Sequence, residues 1–334
     1  MKKNISMIIC LLMLVGTLTG CGNQTVSDSD KLQIVTTIFP AYDWVREVLG
    51  DEADNAEITM LLDNGVDLHS YQPTADDIIN ISTCDLFIYV GGESDGWVED
   101  ALANATNKDM KVINLVEALG DGIKMEEVVE GMQESEHDHE HEENADHEHE
   151  EEHEHHHNDE HVWLSLKNAQ IYCDVIANYL GEIDSDNKSL YSDNATAYNK
   201  KLAELDGKYQ IVVSEGAKDT VLFADRFPFR YLVDDYNLNY YTAFSGCSAE
   251  TEASFETIKF LADKVDELNL TCVLTIENVN HKIAETVVEN TTNKNQQVLS
   301  LDSLQSVTTN DVNDGATYLS IMEKNLEVLT QALQ

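Results

Sequence analysis

LQIVTTIFPAYDWVREVLGDEADNAEITMLL, residues 32–62, reads as one strand–helix–strand unit. Residues 32–39 are apolar and β-branched. Residues 41–49 then place Tyr42, Trp44, Val45, Val48 and Leu49 at helical spacing, closed by Gly50, and residues 56–62 return to strand composition. Two strands joined by a helix of this length predict a parallel pair with a crossover, because a parallel connection needs a dozen or more residues.

The alternation continues outward. Residues 74–81 read as a helix with Asp76 and Asp77 in its first turn, and 86–90 as a buried strand closed by Gly91-Gly92. Segments 97–103 and 112–115 repeat the pattern. In the second half, 220–224, 240–244, 272–275 and 297–300 have strand character. Helices near Tyr231, over 255–261 and over 283–288 separate them, and a terminal helix starts at about residue 316. This order predicts an α/β fold class with two mostly parallel sheets. Between the halves, Tyr191, Asn194, Tyr198, Leu202, Leu205, Tyr209 and Val212 recur every three or four residues, which predicts one amphipathic helix over 192–214. That periodicity suits a stiff connector between two lobes and a core helix of one lobe equally.

Composition narrows the partners. A hydrophobic fraction of 42% is ordinary for a globular chain, and a formal net charge of −43 argues against nucleic acid or an anionic lipid surface and favours cations. Met1-Lys2-Lys3, an apolar run over 5–18 and Leu18-Thr19-Gly20-Cys21 form a lipoprotein-type signal, too short for a comfortable membrane span. Cys21 is then the lipidated residue of the mature chain, and 21–31 a tether to the outer face of a bacterial membrane. The remaining cysteines, Cys84, Cys173, Cys247 and Cys272, have no zinc-finger spacing. Export permits a disulfide, and a Cys247–Cys272 bond is conceivable.

Residues 133–160 hold nine histidines, His137, His139, His141, His147, His149, His153, His155, His156 and His157, among carboxylates, with Ala145 as the sole apolar side chain from 133 to 160. A segment this polar cannot bury enough apolar surface to order itself, and repeated His-x-His spacing adds imidazole where charge alone would need none. It is expected to be a disordered, metal-seeking loop.

Two further clusters sit beside predicted strand ends, where open α/β sheets place ligands. Asp67-Leu68-His69-Ser70-Tyr71-Gln72-Pro73-Thr74 follows the strand ending at Leu62, and Glu160-His161-Val162-Trp163-Leu164-Ser165 follows the histidine-rich segment. A histidine beside Val and Trp is more often a packed core residue than a ligand, and its company decides otherwise here.

With Thr36-Thr37-Ile38-Phe39-Pro40, Asp85-Leu86-Phe87-Ile88-Tyr89-Val90-Gly91-Gly92 and Leu166-Lys167-Asn168-Ala169, these segments resemble the substrate-binding lipoproteins of zinc and manganese ABC transporters over essentially the whole mature chain. The resemblance implies two similar α/β lobes joined by a long rigid helix, a metal in the inter-lobe cleft, and His69 and His161 as N-lobe ligands. It divides the chain into signal peptide (1–20), tether (21–31), N-terminal lobe (32–132), loop (133–160), end of that lobe (161–190), connecting helix (191–215) and C-terminal lobe (216–334).

One position departs from the pattern. Zinc-type members place a third histidine ahead of a Phe-x-Tyr-Leu sequence; here Phe229-Arg230-Tyr231-Leu232 is present and Arg226 stands at the histidine position. A guanidinium cannot coordinate a cation. The C-lobe ligands are therefore expected among Asp225, Glu277 and Asp302, with Asp302 preferred from the family's usual carboxylate position, Arg226 pairing with a carboxylate left over, and His281 at the surface. Two imidazoles and carboxylates fit Zn2+ and also accept Mn2+; the loop tilts the choice to zinc. Neutral imidazole being the ligand form, affinity is expected to fall as pH drops through about 6.5.

The function read from this is extracellular or periplasmic capture of a divalent metal by a monomeric, non-enzymatic protein and delivery to an ABC permease. Two alternatives stay open: a surface zinc store or adhesin, and an extracellular zinc hydrolase with Glu160 as base, for which no His-Glu-x-x-His motif is present.

Overall fold

The apolar strands of each half assemble into a four-stranded sheet, and every pairing in both sheets is parallel. The computed structural model describes residues 31–133, 158–248 and 252–334. Cys21 and the nine loop histidines lie outside them.

In the first half the elements are β1 (Leu32–Thr36), α1 (Phe39–Leu49), β2 (Ala56–Met60), α2 (Ala75–Thr83), β3 (Leu86–Tyr89), α3 (Val98–Ala103), β4 (Lys111–Asn114) and α4 (Leu115–Ala118), with sheet order β2-β1-β3-β4. Two helices follow, α5 (Leu166–Ile183) and α6 (Lys188–Glu215). The second half runs β5 (Thr220–Phe227), α7 (Arg230–Tyr236), β6 (Asn239–Ser245), α8 (Phe255–Leu268), β7 (Cys272–Thr275), α9 (Lys282–Asn290), β8 (Gln297–Ser300), α10 (Thr309–Asn313) and α11 (Tyr318–Ala332), with sheet order β6-β5-β7-β8. The α/β class and the strand–helix–strand reading of 32–62 both hold.

Helix α1 carries Pro40 in its first turn, where the fixed φ is tolerated, and buries Trp44, Val45, Val48 and Leu49. Gly50 ends it at φ +58, and a Cβ there would lie 2.6 Å from Asn194 Nδ2 of α6, which donates to the Val48 carbonyl. Only glycine permits both the left-handed turn and that approach. Helix α2 opens on a capping box between Thr74 and Asp77.

Helix α6 settles the alternative that periodicity left open. Its 28 residues, about 42 Å at 1.5 Å per residue, pack on α1 and α5 of the first half and on α7 and α11 of the second. Asn194 bonds to α1, whereas the Tyr209 hydroxyl donates to the Met322 carbonyl on α11. The last helix crosses back: the Tyr318 ring meets Trp44 at 5.2 Å edge-on, Tyr318 N donates to Asp43 Oδ2, and its hydroxyl donates to the Trp163 carbonyl. Both halves thus share one continuous apolar core around Trp44, Trp163, Tyr172 and Tyr318.

The segment after Ile123 lies against the second half. Lys124 N donates to the Tyr231 hydroxyl, Gln133 N donates to the Ala243 carbonyl of the edge strand β6, and Met125 bridges Asn158 across the neck of the histidine-rich segment. Such a cover satisfies groups that an edge strand leaves open.

Asp43 is buried beneath this core, and burial above all pushes its carboxyl up to about 6. A folded-state value above the ordinary 3.8 means that this group's favourable contribution is complete only below that value and is lost as pH rises through about 6. Asp43→Asn keeps an acceptor for Tyr318 N and removes the charge. It is expected to stabilise the fold by ~1–3 kcal/mol at neutral pH, and by less near pH 5, as read by melting curves at the two pH values. Equal shifts at both would contradict the assignment.

Candidate metal centre

His69 lies in a short 3-10 turn, Leu68–Ser70, beyond the end of β2. Asp67 caps that turn by accepting the His69 N–H at Oδ1, 3.0 Å. The imidazole Nδ1 is 2.7 Å from Ser94 Oγ, on the turn after β3, which leaves Nε2 facing the cleft. His161 enters from the return of the histidine-rich segment and is fully buried. Asp159 Oδ1 accepts its backbone N–H at 2.9 Å and stands 3.1 Å from its Nδ1. A carboxylate behind Nδ1 fixes the tautomer that presents Nε2 as a lone pair, the arrangement behind most metal-ligating histidines.

The two Nε2 atoms lie 3.2 Å apart. Two nitrogens bound at ~2.0–2.1 Å to one tetrahedral zinc would stand about 3.3 Å apart, so the pair is already at the separation that a shared zinc needs. Burial first, and then the facing His161, push the His69 imidazole down to about 3, with Asp67 pulling the other way. At neutral pH it is an uncharged donor.

The surrounding turns permit this approach through glycines. Gly92, at φ +96, passes where a Cβ would fall 2.6 Å from Glu160 Cγ, and Ser94 N donates to Glu160 Oε1 at 3.0 Å. Burial raises Glu160, and it raises Asp95 to about 6 with help from the Glu160 charge. Negative groups so placed favour a cation nearby.

The second half brings a further side chain close to the two histidines. Among the described residues, the one group of three or more metal-ligating side chains with donor atoms within 4.8 Å of each other is His69, His161 and Cys247. Asp225, Glu277 and Asp302 are not in it. Asp225 accepts the backbone N–H groups of Arg226 and Ile276, Glu277 accepts both N–H and O–H of Ser303, and Asp302 accepts the Leu304 N–H at 2.8 Å. Glu277 and Asp302 lie just beyond β7 and β8, whereas Asp225 lies within the last residues of β5; Asp225 ties β5 to the end of β7, Glu277 ties the end of β7 to that of β8, and Asp302 ties down its own turn. Burial, then Glu277, pushes Asp302 up to about 6. His281 caps α9, with Nδ1 3.0 Å from Thr275 Oγ1, and is half-buried.

Arg226 faces the cleft. The β5–β6 register shifts between Phe223 and Arg226, an irregularity of the kind that re-aims side chains at sites. Its Nη2 bonds Asp67 Oδ2 at 2.7 Å, so Arg226 pairs across the cleft with the residue that caps the His69 turn. Although burial opposes it, this hydrogen bond and charge hold the Asp67 carboxyl below its ordinary range. A cavity of about 460 Å3 opens beside the pair, lined by Asp67, Ser70, Asp225, Arg226 and Ser248.

Cys247 escaped the sequence reading, which searched the ends of β5, β7 and β8 but not that of β6. It carries no disulfide: Cys84, Cys173, Cys247 and Cys272 are all free thiols, which removes the conceivable Cys247–Cys272 bond.

A sequence profile of the family described as zinc-uptake complex component A, periplasmic, matches residues 34–332. The zinc-binding lipoprotein AdcA of Streptococcus pneumoniae is 33% identical over 332 residues, covering 98% of this chain and 61% of that protein; this chain thus spans about three fifths of that relative. The high-affinity zinc uptake system protein ZnuA of Bacillus subtilis is 29% identical over 318 residues, 94% of this chain and 92% of the relative. In structure, the Zn(II)-bound ZnuA-like domain of S. pneumoniae AdcA superposes with a TM-score of 0.68 at 27% identity, covering 91% of this chain and 99% of that one. The metal-dependent lipoprotein YcdH of B. subtilis gives 0.70 at 25% identity over 91% and 99%.

Proposed function

Because this chain belongs to the zinc-uptake complex component A family, we propose that it captures zinc outside the membrane in the His69–His161 cleft and delivers it to an ABC permease for import. Members of that family are binding components of uptake systems and not enzymes. The observation that carries the reading is the pair of Nε2 atoms, 3.2 Å apart, each aimed by a hydrogen-bonding partner behind its ring. Support for zinc over manganese comes from the relatives named for zinc and from the nitrogen donors, since manganese suits oxygen donors. The signal-like start, with Cys21 as lipid acceptor, supports tethering at the outer face of the membrane, extracellular or periplasmic; no helix among the described residues is long and apolar enough to cross a membrane.

Elemental analysis of mature protein dialysed after exposure to equal zinc and manganese tests the reading. One zinc per chain is expected, and retention of manganese alone or of no metal overturns it. The histidine-rich segment supplies a second test. Asp159 holds His161 and Asn158 bridges Met125, so the excision has to stop short of both. Deleting 134–157 is expected to leave the tightly held zinc in place and to remove additional, weaker equivalents, which a zinc titration counts. Loss of the tight equivalent would transfer the site to the loop and favour a zinc store.

A further inference from the structure

We propose that Cys247 is the third protein ligand of the cleft, making this a His2Cys site whose cargo is a thiophilic divalent cation, zinc or cadmium, in preference to manganese. The inference rests on the reading of the cleft as a metal-capture site and names the ligand that the second lobe contributes to it.

The geometry singles out this thiol. Cys247 Sγ lies within 4.8 Å of a ligand nitrogen on each of His69 and His161, and zinc bonds of ~2.3 Å to sulfur and ~2.0–2.1 Å to nitrogen would put these atoms about 3.6 Å apart. The remaining gap is within a side-chain adjustment. The other candidates at the cleft face are engaged elsewhere: Arg226 bonds Asp67 and cannot coordinate, Asp225 accepts the Ile276 N–H beyond β7, Glu277 accepts from Ser303 beyond β8, and Asp302 accepts the Leu304 N–H of its own turn. Two features bring the thiol in. Gly246 lets the chain pass the imidazole edge, since a Cβ there would stand 2.8 Å from His161 Cε1, and the Cys247 N–H points to Glu126 Oε1 at 3.4 Å on the strap below the histidine-rich segment. That strap therefore touches one ligand through Glu126 while its returning limb orients another through Asp159. By contrast, Cys84, Cys173 and Cys272 are buried in the cores of the lobes, outside any such cluster.

Chemistry decides the cargo class. Thiolate and imidazole suit zinc and softer ions, whereas manganese is held by carboxylate, carbonyl and water. Three protein ligands leave a fourth tetrahedral position open, which a cargo site needs so that incoming ligands can take the ion away.

Cobalt(II) serves as the probe. The cobalt-loaded full mature chain is expected to show a near-ultraviolet sulfur-to-cobalt charge-transfer band that Cys247→Ser abolishes. Zinc affinity of Cys247→Ser is expected to fall by at least the ~100-fold seen when a group one step further from a metal is removed, with manganese affinity nearly unchanged. Wild-type protein that retains one zinc through dialysis yet gives no such band overturns the ligand assignment alone. Protein that retains neither zinc nor cobalt overturns the capture reading itself. A Cys247→Ser variant with its band and zinc affinity intact also overturns the assignment; the wild-type spectrum decides the matter even where the variant folds poorly.

Discussion

His161→Ala is expected to abolish zinc retention through dialysis, and His69→Ala to lower zinc affinity by orders of magnitude. Both imidazoles present Nε2 to the same point, so removing either leaves the ion without a donor that no neighbouring carboxylate replaces. The two variants should differ in stability. His161 is fully buried, so its truncation empties packed space beside Trp163 and removes the ring contact to Asp159 Oδ1, which keeps the backbone N–H of residue 161. His69 lies at the cleft edge, so its variant separates binding from folding. Full affinity in a folded His69→Ala protein would sink the site. The pH dependence also moves from the value that an ordinary histidine suggests. With His69 held down to about 3, protons do not compete for it near 6.5, and the fall in affinity expected there from sequence is displaced to lower pH as far as this ligand is concerned. The sign for stability follows: a histidine depressed in the fold lets the unfolded chain bind the proton first, so stability is lost as pH falls from about 6.5 toward 3. His69→Ala should flatten that acid limb relative to wild type in urea unfolding series; an unchanged difference across the window would mean that the group is not so buried in solution.

Arg226→Ala is expected to weaken zinc binding by ~10–100-fold, the range for groups that orient a ligand without touching the ion. The ion pair to Asp67 has side chains only 19% and 26% exposed and joins a strand of the second lobe to the turn that carries His69. Exposed pairs contribute little, but this one is partly desolvated, and its removal takes the Arg226 partner from Asp67 Oδ2 while Oδ1 keeps the His69 N–H. Arg226→Lys retains charge without the planar fork and should fall between wild type and alanine. The measurement is competitive zinc titration of the three proteins beside their melting curves. Wild-type affinity in Arg226→Ala would show that the pair is structural ornament to the site.

Local patterns explain why so much could be read from residues alone. Apolar runs place every strand within a few residues, because strand and helix periodicities are properties of contiguous sequence; the β7 and β8 limits at 272–275 and 297–300 match to the residue. The motifs that hold His69 and His161 stand out for the same reason, each lying beside an element boundary. The role of α6 was not, since its stripe of Tyr191, Tyr198, Leu202 and Tyr209 says that a face is buried and nothing about which lobe buries it. The return of α11 onto Trp44 was equally invisible, being a contact between residues 44 and 318.

At the site the division is sharper. Sequence placed one imidazole beyond a strand end and another just ahead of a helix, put Arg226, a group unable to coordinate, where the family resemblance implies a third histidine, and gave a charge that favours cations. Only the tertiary structure decided that Arg226 closes on Asp67, 159 residues away, that Asp225 and Glu277 accept N–H groups from neighbouring strand ends while Asp302 accepts one from its own turn, and that Gly246 lets Cys247 approach the histidines. A carboxylate's availability depends on which N–H groups surround it, and a thiol's proximity depends on how two lobes pack; both are set by through-space contacts that no run of neighbouring residues encodes.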